Sequence, residues 1–165
     1  MRKAAIITGV LVGLVVLIAS FNPLNLKLKA GLQVTTGDQS ASLFLDGSYL
    51  DKAPYRNDTI KPGDYILRIA PDESGFVPYE LPIKLHKGTV TIVTWKPGST
   101  VETSGGIVYE MERVSSRGAI VEVQPVPDGA IVTLDGGEKR FGPTSFEVSG
   151  ENHELEISLP SFQTQ

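Results

Sequence analysis

Two histidines, no cysteine and a scatter of acidic residues are what the 165-residue chain offers for chemistry. His86 stands in "LHKGT" and His153 opens "HELEIS". Neither has a second imidazole at the short spacing of a metal site, so both read as structural or surface residues. Asp46-Gly47 and Asp135-Gly136 each end a Leu-Asp-Gly triplet. A Ca²⁺ loop needs oxygen-bearing residues at alternate positions and a closing Glu. Asp46, Ser48 and Asp51 are too sparse for that. The turn reading fits better: Asp bonds its own backbone and Gly takes the positive φ. Asp72, Glu73 and Glu80 could pair carboxylates for glycoside cleavage only in a cleft that raises one pKa, and the sequence gives no reason for one. "GDQS" (37–40) and "SGG" (104–106) lack the lysine and helix of a phosphate loop. Without cysteine there are no disulfides, thiolate sites, Cys nucleophile or lipidated Cys. The expectation is no catalytic, cofactor-binding or metal residue, and no enzyme.

Aromatic residues offer one other chemistry, stacking on sugars. Tyr49, Tyr55, Phe76, Tyr79 and Trp95 lie between residues 49 and 95. Exposed in a row they would make a glycan platform; otherwise they pack in the core or at strand edges. The formal charge of −4 does not favour nucleic acid, whose binders carry a basic stripe.

These residues must be held by some framework, and its first element is apolar. Residues 4–21, "AAIITGVLVGLVVLIASF", carry no charge. Eighteen residues at about 1.5 Å rise just span hydrocarbon. Arg2 and Lys3 precede them, which places the amino terminus in the cytoplasm and the rest outside. A cleaved signal peptide is the competing reading, but Ile18 and Leu17 occupy the positions that small residues would need. We expect an uncleaved single-pass anchor over 1–22 in the cytoplasmic membrane.

The rest of the chain repeats itself. "VTTGDQSASLFLDGSYLDKAP" (34–54) aligns without a gap with "VQPVPDGAIVTLDGGEKRFGP" (123–143). One deletion later, Ile60, Tyr65, Leu67 and Ile69 meet Val148, His153, Leu155 and Ile157, and after two more Gly75-Phe76 meets Ser161-Phe162. Each copy reads as strands. "YILRIA" (65–70) and "HELEIS" (153–158) alternate apolar and polar residues with period two. "LPIKLHKGTVTIVTW" (81–95) predicts a hairpin turning at Lys87-Gly88. No amphipathic helix follows residue 22. The fold class expected is all-β, with small antiparallel β-sandwich domains in tandem behind a single transmembrane helix.

"VQPVPDGAIVTLDG" (123–136), then Gly142-Pro143, then "GENHELEISLPSF" resembles the PEGA domain, named for a Pro-Glu-Gly-Ala motif that reads Pro127-Asp128-Gly129-Ala130 here. The first copy departs further, with "GDQSA" (37–41) in that place. The resemblance implies β-domains, often in tandem beside membrane segments, exposed outside the cytoplasm of bacteria and archaea and without an assigned activity.

The expected organisation is an anchor (1–22), a first PEGA-like domain (30–95), a linker with a candidate edge strand (96–117, "GIVYEMERV" within it) and a second PEGA-like domain (118–165) that reads as truncated. The segment after Phe76 supplies two more strands to the first copy, and the second copy has no counterpart of them. An isolated 118–165 fragment is expected not to fold cooperatively. The function expected is that of a membrane-anchored, extracytoplasmic structural or interaction protein that contacts surface proteins or an envelope polymer. Two alternatives stand beside it: a cell-wall or surface-glycan binding module, and accessory domains of an enzyme encoded further downstream.

Overall fold

Alternating burial organises residues 28–113 and 118–160, which a computed structural model describes. The expected anchor over 4–21 and the Ser161-Phe162 match lie outside the described residues. No helix among the described residues is long and apolar enough to cross a membrane. The chain there is all-β.

Eight strands build the first unit: β1 (Ala30–Thr35), β2 (Ala41–Leu45), β3 (Ser48–Lys52), β4 (Tyr55–Ile60), β5 (Gly63–Pro71), β6 (Tyr79–Leu85), β7 (Val90–Lys96) and β8 (Gly105–Tyr109). They form two four-stranded sheets, ordered β4-β1-β7-β8 and β3-β2-β5-β6. Period-two alternation turns one face of each sheet inward. Leu43 and Leu45 of β2, Leu67 and Ile69 of β5, and Leu81, Ile83 and Leu85 of β6 meet Leu32, Val34, Val93 and Trp95 of the other sheet in one buried cluster. This is the packing of a small sandwich.

The hairpin expected over 81–95 is not one. β6 pairs with β5, whereas β7 runs beside β1 in the opposite sheet. The chain turns at His86–Thr89 with Gly88 at φ 75° and crosses from one sheet to the other as an arch. Both strands carry one apolar face, and the arch lets those faces meet across the core. The Tyr79 and Trp95 rings stack there with centroids 4.4 Å apart. In a hairpin they would lie side by side in one sheet. The arch also makes one pair parallel, Gly31 facing Val90 through Thr35 facing Thr94, in a sandwich expected to be wholly antiparallel.

β8 pairs with β7 from Ile92–Tyr109 to Lys96–Gly105, so the first unit extends past residue 95. Gly106 lets it dock: a Cβ there would meet the backbone of Thr94 and Trp95. On the other sheet, β6 is an edge strand. Its Pro82 presents no N–H, and its Lys84 N–H donates to Glu110 Oε1 at 2.6 Å. Both devices blunt an edge against further pairing.

The second unit has five strands: β9 (Ala119–Val123), β10 (Ile131–Leu134), β11 (Arg140–Phe141), β12 (Thr144–Val148) and β13 (Leu155–Ser158). They pair as β12-β9 and β11-β10-β13. In order and partners these match β1 to β5 of the first unit. Pro54 and Pro143, matched in the repeat, both follow cis peptide bonds. Val123, Val132 and Phe146 are buried between the sheets, while Val121, Leu134, Val148, Leu155 and Ile157 are half-buried against them. No described strand corresponds to β6, β7 or β8.

Candidate functional site

The densest set of chemical groups in the second unit grows from the Leu-Asp-Gly turn after β10. Asp135 takes φ 50° and Gly136 φ 66°. This reverses the chain and aims the Asp135 carboxylate at the start of β13. The Asp135 N–H donates to Glu154 O at 2.8 Å, and the Glu154 N–H donates to Asp135 Oδ1 at 2.8 Å. The second carboxylate oxygen, Oδ2, lies 2.7 Å from His153 Nδ1. His153 Nε2 in turn lies 3.1 Å from Ser149 Oγ.

A carboxylate only accepts, so Nδ1 carries the proton and donates to Asp135. Nε2 then accepts from the Ser149 hydroxyl in the neutral ring and donates to it in the charged ring. The hydrogen bond to Asp135 raises the His153 pKa above its ordinary value, against an opposing effect of desolvation. The hydrogen bond from His153, then that from the Glu154 backbone, lowers the Asp135 pKa. The pair therefore favours imidazolium beside carboxylate.

Serine, histidine and aspartate in that chain of contacts have the order of a nucleophile, a base and its orienting acid. Acyl transfer also needs donors aimed at a developing oxyanion and a bed for the substrate. Here the Ser149 Oγ accepts the Glu151 N–H at 3.4 Å, which closes a local turn. Asp135, His153 and Ser149 line no part of the open depression of about 530 Å³, which runs past Asp46, Tyr65, Ile66, Lys84 and Glu110. The arrangement can hold β10 to β13 and respond to pH. Sequence reasoning treated Asp135 and His153 separately and did not single out Ser149. The signal was available in the repeat: His153 occupies the column of Tyr65, and the strand pairing places that column beside the Leu-Asp-Gly turn.

The other expected residues are occupied in turns or ion pairs. Asp46 takes φ 47° and repeats the turn, with Ile66 N–H donating to its Oδ1 at 2.8 Å. Asp72 accepts from Lys52 Nζ at 2.8 Å, Ser40 Oγ at 2.7 Å and Ser42 Oγ at 3.0 Å. Led by the Lys52 bond, these hold its pKa down at about 2. Glu80 lies 3.7 Å from Arg68. Both acids thus have basic partners rather than each other, and Asp72 is shifted away from the raised pKa of a general acid. His86 Nδ1 lies 3.7 Å from Glu112. Trp95 is buried, with its ring stacked on that of the half-buried Tyr79, so it offers no free face to a sugar. Tyr49 is exposed and meets the Phe44 ring edge-on, with the Arg68 guanidinium 5.3 Å over Phe44. Among the described residues no group of three or more His, Asp or Glu could hold a metal ion.

The chain matches no protein-family model, no curated protein and no solved structure.

Proposed function

We propose that the chain is a membrane-anchored, extracytoplasmic structural and interaction protein with no catalysis of its own. Residues 4–21 hold it in the cytoplasmic membrane with the amino terminus inside, and PEGA-like β-units outside contact surface proteins or an envelope polymer. One observation carries the reading. The described polar clusters brace turns and strand ends, while the outer edges of β9 and β13 have no strand beside them among the described residues and the core they flank is half-covered. Such edges are the usual means by which β-domains take up partners.

Protease added to intact spheroplasts tests the location. Loss of everything beyond about residue 25, with the amino-terminal end protected, is expected; full protection would sink the outside orientation. Turnover of activated esters that disappears in Ser149→Ala would overturn the non-catalytic part.

A surface-glycan reading has its own observation, the exposed Tyr49 beside Phe44 and Arg68. Retention on purified cell wall, abolished by Tyr49→Ala, would favour it.

A further inference from the structure

We propose that Asn57 is a glycosylation site: its side-chain amide takes a sugar from a glycosyl diphosphate outside the membrane, and the attached glycan covers the edge of β4. This rests on the extracytoplasmic part of the reading above, and the test below separates the two.

Four asparagines occur in the chain, and only Asn57-Asp58-Thr59 sets one of them two residues before Ser or Thr without a proline between. That triplet is the acceptor sequence for N-linked sugars. A three-residue match is weak by itself, and its weight comes from where the fold puts it.

Thr59 Oγ1 donates to Asn57 Oδ1 at 2.7 Å, and the Thr59 N–H donates to the same oxygen at 2.8 Å. A backbone N–H only donates, so the atom it meets is the amide oxygen and the other is Nδ2. Nδ2 has no hydrogen-bond partner among the described residues. An amide nitrogen is a poor nucleophile until it loses a proton. The charge then left on the oxygen is stabilised by hydrogen bonds donated to it. Both Thr59 donors stand where that charge develops. In the transfer, Nδ2 attacks the anomeric carbon and a C–N bond forms. The carbon–oxygen bond to the diphosphate breaks and the diphosphate leaves with its electron pair. The amide proton passes to a base of the transferase that brings the donor.

The second unit shows that the fold does not require this arrangement. There β12 pairs with β9 without a break, and Phe146, opposite Val121, is buried. Asn57 holds the same column in the first unit, opposite the fully buried Leu32. Residues directly opposite share a face, so the column suits an apolar side chain. Past Asn57 the ladder of β1 and β4 shifts. Leu32 faces Asn57 and Ala30 faces Ile60, which leaves Asp58 and Thr59 opposite Gly31 alone. In the second unit Glu147 alone stands opposite Ile120. The first deletion in the repeat therefore falls inside the triplet. Gly31 completes the change, because a Cβ there would come within 2.8 Å of Asp58 Oδ1. An inserted residue, an amide in an apolar column and a glycine opposite coincide, and none of them adds to the core.

Room for a sugar follows from the strand order. β4 ends its sheet, no strand lies beyond it among the described residues, and Asp58 and Thr59 are exposed. Asn57 is half-buried at that edge. Bulges are frequent at sheet edges, where they end or redirect pairing. A glycan on Asn57 would shield β4 from strand addition, as Pro82 and Glu110 shield β6.

The test isolates the full chain in detergent from the membranes of the cells that make it and maps it by trypsin and mass spectrometry. Residues 57–68 form one peptide, because Lys61 precedes Pro62 and resists cleavage. That peptide is expected to carry a hexose or N-acetylhexosamine adduct on Asn57. The adduct should be lost in Asn57→Gln and in Thr59→Val, which keeps the shape of threonine without its hydroxyl. It should be kept in Thr59→Ser, and circular dichroism of each variant should show the parent's strand content. A bare peptide from a chain whose β-units are removed by external protease overturns the site and leaves the location standing. A bare peptide from a protected chain overturns both. An adduct that persists in Asn57→Gln or Thr59→Val puts the sugar elsewhere and overturns the site as well.

Discussion

Asp46 and Asp135, 89 positions apart, adopt the same left-handed backbone at φ 47° and 50°. Each locks its turn to the third strand that follows, through Ile66 within β5 in one unit and Glu154 at the start of β13 in the other. The glycine after each also has positive φ, 76° for Gly47 and 66° for Gly136, and a Cβ at either would touch nothing. The penalty for a side chain is therefore conformational alone. Gly47→Val and Gly136→Val should each cost about 1–2 kcal/mol. Gly105→Ala, in open space without positive φ, serves as the near-neutral control. Denaturant unfolding read separately for the two units measures all three.

The His153–Asp135 contact makes the second unit sensitive to pH. The folded pKa of His153 lies above the ordinary 6.5, so its contribution is complete below 6.5 and lost as pH rises through the folded value. The folded pKa of Asp135 lies below the ordinary 3.8, so its contribution is complete above 3.8 and lost as pH falls through the folded value. Stability from the pair should thus be greatest between about 4 and 6.5. Asp135→Asn should bring the His153 titration midpoint, followed by NMR, back toward 6.5. His153→Tyr, the residue of the first unit, should flatten the alkaline side of the profile.

Gly106 tests how β8 is held. In Gly106→Ala the new methyl would meet the Thr94 and Trp95 backbone. Amides of Gly105–Tyr109 should lose their exchange protection. Those of β1 and β5 should keep theirs, because β7 remains paired with β1.

Leu67 and Leu155 share a column of the repeat and differ in cover. Leu67→Ala, from a fully buried site, should cost about 2–5 kcal/mol. Leu155→Ala, from a half-buried one, should cost less than half as much. Equal losses would mean that the second core is closed.

How much of this could be read from residues alone depends on what each signal specifies. Period-two alternation in "YILRIA" and "HELEIS" tells which side chains face inward, and Leu67, Ile69, Leu155 and Ile157 do so. It does not tell which strand lies alongside. "LPIKLHKGTVTIVTW" has the same alternation and turn glycine whether its halves pair with each other or with opposite sheets, so the arch was read as a hairpin. "GIVYEMERV" was recognised as an edge-strand candidate, but its partner β7 is chosen by the bare backbone at Gly106, a contact invisible in sequence. The His153–Asp135–Ser149 chain is hidden in the sequence because a turn accounts for Asp135 through one carboxylate oxygen, and no spacing points the second at His153.

The placement of β1 has a mechanical consequence. It lies inside its sheet, antiparallel to β4 on one side and parallel to β7 on the other. Tension entering the described chain at residue 28 pulls along β1 and loads both hydrogen-bond ladders lengthwise. Many bonds must then slip together, where a peripheral strand pulled crosswise would release them one at a time. A tether attached at this end would grip the first unit by a strand held on both sides.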